Sequence, residues 1–422
     1  MIRDLNLSMG VNGLLQHLRK LDESIVNKMP LDTFSGKKVA VDTSIFLYKY
    51  LCVSFQSDEP MIMHFWRFVR GLQNNGLRPV FIFDGTPPDL KSSTHAARSE
   101  QRQKTKAKIA ELEAFIADLE SNVQIVPPTT PSFLNLSAGI SRSDLLELSR
   151  DKLKKLNSQC ISVKPSDIDN VKKLLDLMGV GWYIATGEAE RTCSWLCVHK
   201  YVDAVLTTDS DVLVYGAPTF IKSVSGGDCE VVFYDVVLEL LDLTPSQFRD
   251  FCIMCGVDYN KRIPKVGPVK SLKLLGEYTD LDGIAAKGID TSNLLYPECR
   301  ALFTLPDREL IDCAISGSMT FEVSIGDPKW SELREFMTEC GVQEWIVKDI
   351  GINDEDEYKN RFNVVVVKDE PAGITGPVKL SDTSPESPKS VKSTPESPKS
   401  DNDDNTSSID EVTDQLATIT IE

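Results

Sequence analysis

The chain has 422 residues, 41% of them apolar and 26% charged, which is enough to bury a sizeable core and ordinary for a globular protein. No run of about 18 apolar residues occurs, and the opening MIRDLNLSMG has no apolar stretch, so a spanning helix and a secretory leader are not expected. The formal net charge of −17 argues at first against a nucleic-acid partner, but 12 acidic and 5 basic residues fall from Lys368 onward, leaving −10 on the body.

Ten cysteines are scattered through apolar segments, which reads as reduced intracellular thiols and not a disulfide framework. Cys252-Ile-Met-Cys255 matches C-x-x-C, but no second pair or histidine lies near it, so two helical core positions are the expectation.

In chain order, Leu14, Leu15, Leu18 and Leu21 recur at helix spacing after Met9-Gly-Val-Asn-Gly13. Lys38 to Asp42 reads as a buried strand ending in a carboxylate, followed by a helix over 43–53. A second helix, 66–72, stops at Asn75-Gly76, and Pro79 to Asp84 is another apolar strand ending in Asp. Two strands that both stop at Asp predict an α/β fold with a mainly parallel central sheet flanked by helices, whose ligands gather at the strands' carboxyl ends.

Leu90 to Glu120 lacks internal Pro or Gly and reads as one long helix with a basic first half: Lys91, Arg98, Arg102, Lys104, Lys106 and Lys108. Lys91, Arg98 and Arg102 share a face, although a solvated charge run would look the same. A Pro-rich loop over 126–143 precedes helices at 144–156 and 165–178, the second capped by Ser166 or Asp167. A strand at 181–185 leads to Gly187-Glu188-Ala-Glu190 at the start of a helix, where acids are favoured by the helix dipole alone.

Thr207-Thr-Asp-Ser-Asp211 ends the next strand. On a strand, Asp209 and Asp211 face one spot; Asp-x-Asp is equally ordinary turn chemistry. A hairpin is expected around Gly226-Gly227-Asp228, and Thr244-Pro245 starts a helix that runs into Gly256-Val-Asp258-Tyr. Ile263-Pro-Lys-Val-Gly267-Pro-Val-Lys270 then gives helix, turn, helix, a pattern shared by phosphate clamps and plain helix connections. Beyond Asp369, Ser384-Pro-Glu-Ser-Pro-Lys-Ser390 recurs as Thr394 to Ser400, in a tail with too little apolar content to fold.

Asp42, Asp84, Glu188, Glu190, Asp209, Asp211 and Asp258 thus fall at strand ends and helix starts, and a parallel sheet would bring them to one edge. So many carboxylates repel one another unless divalent cations sit among them, and oxygen-only ligands select Mg²⁺ or Mn²⁺. Two such ions are the usual arrangement for phosphodiester hydrolysis, with Lys91 and Arg98 placed to hold the phosphate.

The stretches MGVNGLLQHL, KVAVDTSIFLY, PVFIFDGTPPDLK, GEAERTC, TTDSDVLVYG, FCIMCGVDY and IPKVGPVKSLKLL resemble, in order, those of the 5′ structure-specific nucleases that include flap endonuclease and the xeroderma pigmentosum G nuclease. The resemblance implies a PIN-like nuclease core with a helical arch and a helix-two-turn-helix element. It implies that all seven acids are metal ligands, that Lys91, Arg98 and Asp209 are catalytic, and that Gly10, Tyr48, Arg102, Lys265, Gly267 and Lys270 contact DNA. It also implies potassium at the carbonyls of Arg262, Ile263 and Val266.

The implied organisation is an N-terminal nuclease region over 9–115, an arch over 91–165, an internal nuclease region over 166–350 with the helix-two-turn-helix at about 246–276, and a disordered tail over 369–422. The implied activity is metal-dependent cleavage of branched or nicked DNA with a free 5′ end, in replication, repair or recombination. The setting would be a nucleus or viral replication site, and the protein a monomer. The alternative is an inactive relative that scaffolds DNA. Three departures stand out. The family's Met-Gly start falls at Met9-Gly10, the turn reads Lys265-Val-Gly267-Pro-Val-Lys270 with one glycine fewer, and the arch is enlarged around 127–150. No sliding-clamp peptide is found; Phe362-Asn-Val-Val-Val does not fit one.

Overall fold

The computed structural model describes residues 10–57, 59–121, 131, 134, 140–306 and 326–350. Met9, most of the Pro-rich loop, the Phe362 segment and the repeats of the tail lie outside the described residues.

Seven strands form one sheet: β1 (Asn27–Pro30), β2 (Lys38–Asp42), β3 (Arg78–Phe83), β4 (Trp182–Ile184), β5 (Ala204–Leu206), β6 (Thr219–Ser225) and β7 (Asp228–Phe233), in the order β1-β7-β6-β5-β2-β3-β4. The run β6-β5-β2-β3-β4 is parallel, and β7 is antiparallel to both of its neighbours. The expected mainly parallel sheet is therefore present, with an antiparallel margin built by the Gly226-Gly227 hairpin, where both glycines have positive φ. Strand β1 was not anticipated. It is four residues long, half exposed and ends in Pro, so it carries almost no apolar signal.

Side-chain alternation divides the core in two. Ala40, Val80, Ile82, Val205 and Phe220 point to one face and pack with Leu14, Leu18, Phe248 and Phe251. Val39, Val41, Phe81, Leu206 and Ile221 point to the other and pack with Phe65, Val69, Leu174 and Phe336. Burial on both faces explains why these strands read as unbroken apolar runs. Phe65 and Phe81 are fully buried, with ring centroids 5.6 Å apart, and truncating either to Ala costs about 3–5 kcal/mol.

The long helix with the basic first half is Ser92–Glu120, and it pairs with Arg142–Ser158 to form a two-helix arch. The pair has a core of its own, built on Leu112, Phe115, Ile116, Leu134 and Leu156. Arg142 reaches the Leu119 carbonyl, and Arg150 pairs with Glu120 at 2.6 Å. The helix Pro165–Leu177 starts where expected, but neither Ser166 nor Asp167 is its N-cap. Its N-cap is Lys164, and Asp167 accepts from the Lys164 N–H at 2.8 Å, bracing the first turn from inside it. Cys252 and Cys255 are fully buried in the helix Pro245–Cys255, as a core reading requires.

Candidate active site

The carboxyl ends of the parallel strands deliver the acids to one edge. Asp42 is the last residue of β2, and Asp84 follows β3. Gly85 lets β3 close against the loop after β4: its N–H donates to Gly187 O at 2.7 Å, and a Cβ there would collide with the Ala185 carbonyl. That approach carries the Ala189 N–H to Asp84 Oδ1 at 2.8 Å and so sets Glu188 and Glu190, at the start of the helix Ala189–Val198, beside Asp84.

Asp209 and Asp211 are not on a strand. Strand β5 stops at Leu206, because Thr207 turns its hydroxyl to Asp42 at 2.9 Å and accepts the Asp209 N–H at 3.1 Å. Asp211 opens the short helix Asp211–Val214, and its N–H donates to Asp209 Oδ1 at 2.9 Å. Of the two readings open for the pair, strand alternation and a turn, the turn is the one present, and it lies inside the site. Asp258 arrives from the loop after Pro245–Cys255.

Asp42, Glu188, Glu190, Asp209 and Asp211 are all at most 7% exposed. Burial, then Asp84, pushes the Asp42 carboxyl well up; burial, then Glu188, does the same to Glu190. Burial, then Asp209, raises Asp211, while Asp209 is pushed up to about 6 by burial, partly offset by the Asp211 N–H. Asp258 acts on both Asp209 and Asp211, so the seven acids form one electrostatic cluster.

Lys91 sits inside this cluster, paired with Glu188 and 3.6 Å from Asp258, and Arg98 Nη2 is 2.8 Å from Asp258 Oδ2. Burial alone would lower the Lys91 amine, but Glu190, Glu188 and Asp258 more than reverse that and hold it above its ordinary value. Lys91 is therefore a fixed cation.

Three supporting residues went unnoticed in the sequence. The Tyr259 hydroxyl donates to Glu188, Thr207 holds Asp42, and Thr94 donates to the Asp258 carbonyl. Tyr259 adjoins Asp258 in the motif, which was the available signal; the other two pairings span more than 160 residues.

Gly10 has φ +81°, and a Cβ on it would collide with Asp209 Oδ1, so it lies against the carboxylates. Tyr48 is half-buried on the helix Thr43–Gln56, with burial and then Cys52 raising its hydroxyl, and Arg102 faces it from the arch. Lys265, Gly267 and Lys270 lie elsewhere, around the start of the helix Pro268–Tyr278, for which Gly267 is the N-cap. Lys265 takes the left-handed conformation at φ 63° in the glycine-poor turn, and the Val266 N–H donates to Ile263 O at 3.1 Å.

Among the described residues, no three of these side chains close on a single point at ligand spacing. The donor set nevertheless fits hard divalent cations: it is all oxygen, mostly buried, and Asp211 Oδ1 is buried with no hydrogen-bond partner.

A sheet edge crowded with acids around one lysine, under a basic two-helix arch, defines a nuclease core. Residues 9–105 match the XPG N-terminal domain and residues 179–258 the XPG I-region. Both matches are to domains of XPG-type nucleases. Probable RAD2-like endonuclease 076L of Invertebrate iridescent virus 3 is 29% identical over 332 residues, covering 70% of this chain and 85% of the viral protein. Flap endonuclease 1 of Drosophila grimshawi is 28% identical over 355 residues, covering 79% and 80%. In fold, the chain is similar to the catalytic core of Rad2 in complex with DNA substrate, with TM-score 0.54 at 20% identity over 84% of this chain and 99% of that one. Flap endonuclease-1 from Methanococcus jannaschii gives 0.53 at 22% identity, over 80% and 97%.

Proposed function

We propose that this nuclease cuts DNA at the junction of duplex and free 5′ single strand, acting as a 5′ flap endonuclease with 5′ exonuclease activity. The observation that carries the reading is Lys91 held as a cation within seven carboxylates, beneath the basic first half of the arch helix. Asp42, Asp84, Glu188, Glu190, Asp209, Asp211 and Asp258 would hold two Mg²⁺ or Mn²⁺ ions. Bound there, the ions supply Lewis acidity, which activates water and neutralises phosphoryl oxygens.

The chain's own residues do the rest. Lys91 exchanges its carboxylate partners for a phosphoryl oxygen and stabilises the charge that develops there. Arg98 takes a second oxygen of the same group. Tyr259 holds Glu188, and Thr207 holds Asp42, so neither carboxylate swings away when Lys91 moves. Tyr48 and Arg102 flank the entry for the unpaired strand. Lys265, Gly267 and Lys270 grip a duplex backbone, with potassium at the carbonyls of Arg262, Ile263 and Val266. Specificity comes from backbone shape and charge, not base edges.

The complete acid set supports an active enzyme over a DNA-binding scaffold. The place of action we infer is wherever DNA is replicated or repaired, in a nucleus or a viral replication site; among the described residues no helix is long and apolar enough to cross a membrane. Cleavage of a double-flap duplex in Mg²⁺, followed by DNA ligase, tests the reading. A sealed product shows a 5′-phosphate and 3′-hydroxyl left at the junction. An unsealable product, or none, overturns it.

A further inference from the structure

Asp258 is held differently from the acids around it. Thr207 holds Asp42, the Ala189 N–H holds Asp84, Tyr259 holds Glu188 and the Asp211 N–H holds Asp209, each from the body of the fold. Among the described residues, the Asp258 carboxylate pairs only with Arg98 at 2.8 Å and Lys91 at 3.6 Å. Thr94 donates to its carbonyl, so all three partners stand at the foot of the arch. Two of them, Lys91 and Arg98, turn to the phosphate during the reaction. Asp258 must then keep its place through its backbone.

That backbone is clamped from two sides. The Gly256 carbonyl accepts twice from Asn12, from its N–H at 2.9 Å and from Nδ2 at 3.0 Å, across 244 positions of sequence. From within the turn, Asn260 Oδ1 accepts the Val257 N–H at 3.1 Å, and Asn260 Nδ2 donates to Ile253 O at 2.8 Å. Val257 and Tyr259, on either side of Asp258, are buried. Gly256 itself lies at φ 98°, ψ 124°, and a Cβ there would collide with the Arg262 side chain. The chain thus turns toward Asp258 in a shape that needs glycine, and two asparagines hold it there.

Asn12 also joins this turn to a second acid. Its segment starts at Gly10, which lies against Asp209, and is anchored by Val11 in the core. Asn12 is exposed, so burial does not account for it. One short stretch therefore touches Asp209 at one end and the Asp258 turn at the other.

We propose that Asn12 is a positioning residue for Asp258, fixing its spacing from Asp209 and so setting the affinity for one of the two divalent ions. The inference rests on the metal-site reading above. Groups that orient a metal-ligating side chain are worth about 10–100-fold in ion affinity. The Asn12 N–H survives truncation of the side chain, which places the expected effect at the lower end of that range.

The test measures Mn²⁺ bound to the free protein by electron paramagnetic resonance, for wild type and Asn12→Ala. Because Asn12 is exposed, the substitution leaves the core intact; Asn260→Ala, checked by circular dichroism, loosens the same turn from within. In both variants one ion should bind as in wild type and the other about tenfold more weakly. The half-saturating Mg²⁺ concentration for cleavage should rise in step, with kcat restored by excess Mg²⁺ and the KM for DNA unchanged. Two ions bound as tightly as in wild type, or both weakened equally, overturn the assignment and leave the nuclease reading intact. A raised KM at unchanged ion affinity also overturns it, making Asn12 a DNA contact. Wild type that binds no Mn²⁺ overturns the metal-site reading and the proposal together.

Discussion

The N–H of Asp211 donates to Asp209 Oδ1 at 2.9 Å, so a turn, and not strand alternation, fixes the spacing of these two acids. One oxygen of Asp209 is thereby committed to the backbone, while Asp211 Oδ1 stays buried without a hydrogen-bond partner. A buried carboxylate oxygen in that condition is costly unless a cation uses it.

Lys91→Ala removes the cation from the middle of the cluster. Single-turnover cleavage should slow by about 10²–10³-fold, because the lost interaction strengthens as charge develops on the phosphate. Binding of the duplex should change little. A matching loss of binding would make Lys91 a general phosphate contact.

Tyr259→Phe deletes the hydroxyl that holds Glu188. The half-saturating Mg²⁺ concentration should rise roughly tenfold, as when a group supporting a metal ligand is removed, and excess Mg²⁺ should restore the rate. A reduced rate that excess Mg²⁺ does not restore would remove Tyr259 from that role.

Much of the site was legible because acids were read where apolar runs stop. Asp42 and Asp84 are strand ends, Glu188 is the N-cap of its helix and Glu190 lies in the first turn. For the Asp209 pair both a strand and a turn were open, and the structure has the turn. Three residues of β5 cannot be told from a longer strand, since Thr207 is an apt strand residue whose hydroxyl is diverted by Asp42, far off in sequence. The antiparallel margin was half visible: Gly226-Gly227 signals the hairpin, but β1 has no apolar alternation to betray its pairing with β7. The arch's private core depends on two helices meeting across a long connection, which periodicity alone does not report.

Metal removal should have a pH-dependent effect on stability. Asp209 is raised from its ordinary 3.8 to about 6, first by burial, and Asp42, Glu190 and Asp211 are raised well above their ordinary values. A carboxyl whose folded pKa is raised binds more protons folded than unfolded, so stability falls as pH rises from 3.8 through about 6, and further up for the other three. In EDTA the melting temperature should therefore drop between pH 6 and pH 8. Mg²⁺ should raise it, and by more at pH 8. An equal Mg²⁺ increment at both pH values would show that these carboxylates do not hold the ion.

Gly10→Ala places a methyl group against Asp209 Oδ1 on a backbone at φ +81°. Cleavage should fall at least tenfold, with circular dichroism unchanged, since the collision falls on a carboxylate of the cluster. Full activity would mean the segment before Val11 moves away freely.

If the carboxylate cluster is a metal-dependent phosphodiesterase site, cleavage must fail without the ion or without Asp209. The most direct test follows a 5′-labelled double flap with wild type in Mg²⁺, wild type in EDTA and Asp209→Ala in Mg²⁺. Junction cleavage is expected in the first alone, with the substitution costing at least about 10³-fold. Cleavage by Asp209→Ala at the wild-type rate, or by wild type in EDTA, would contradict it.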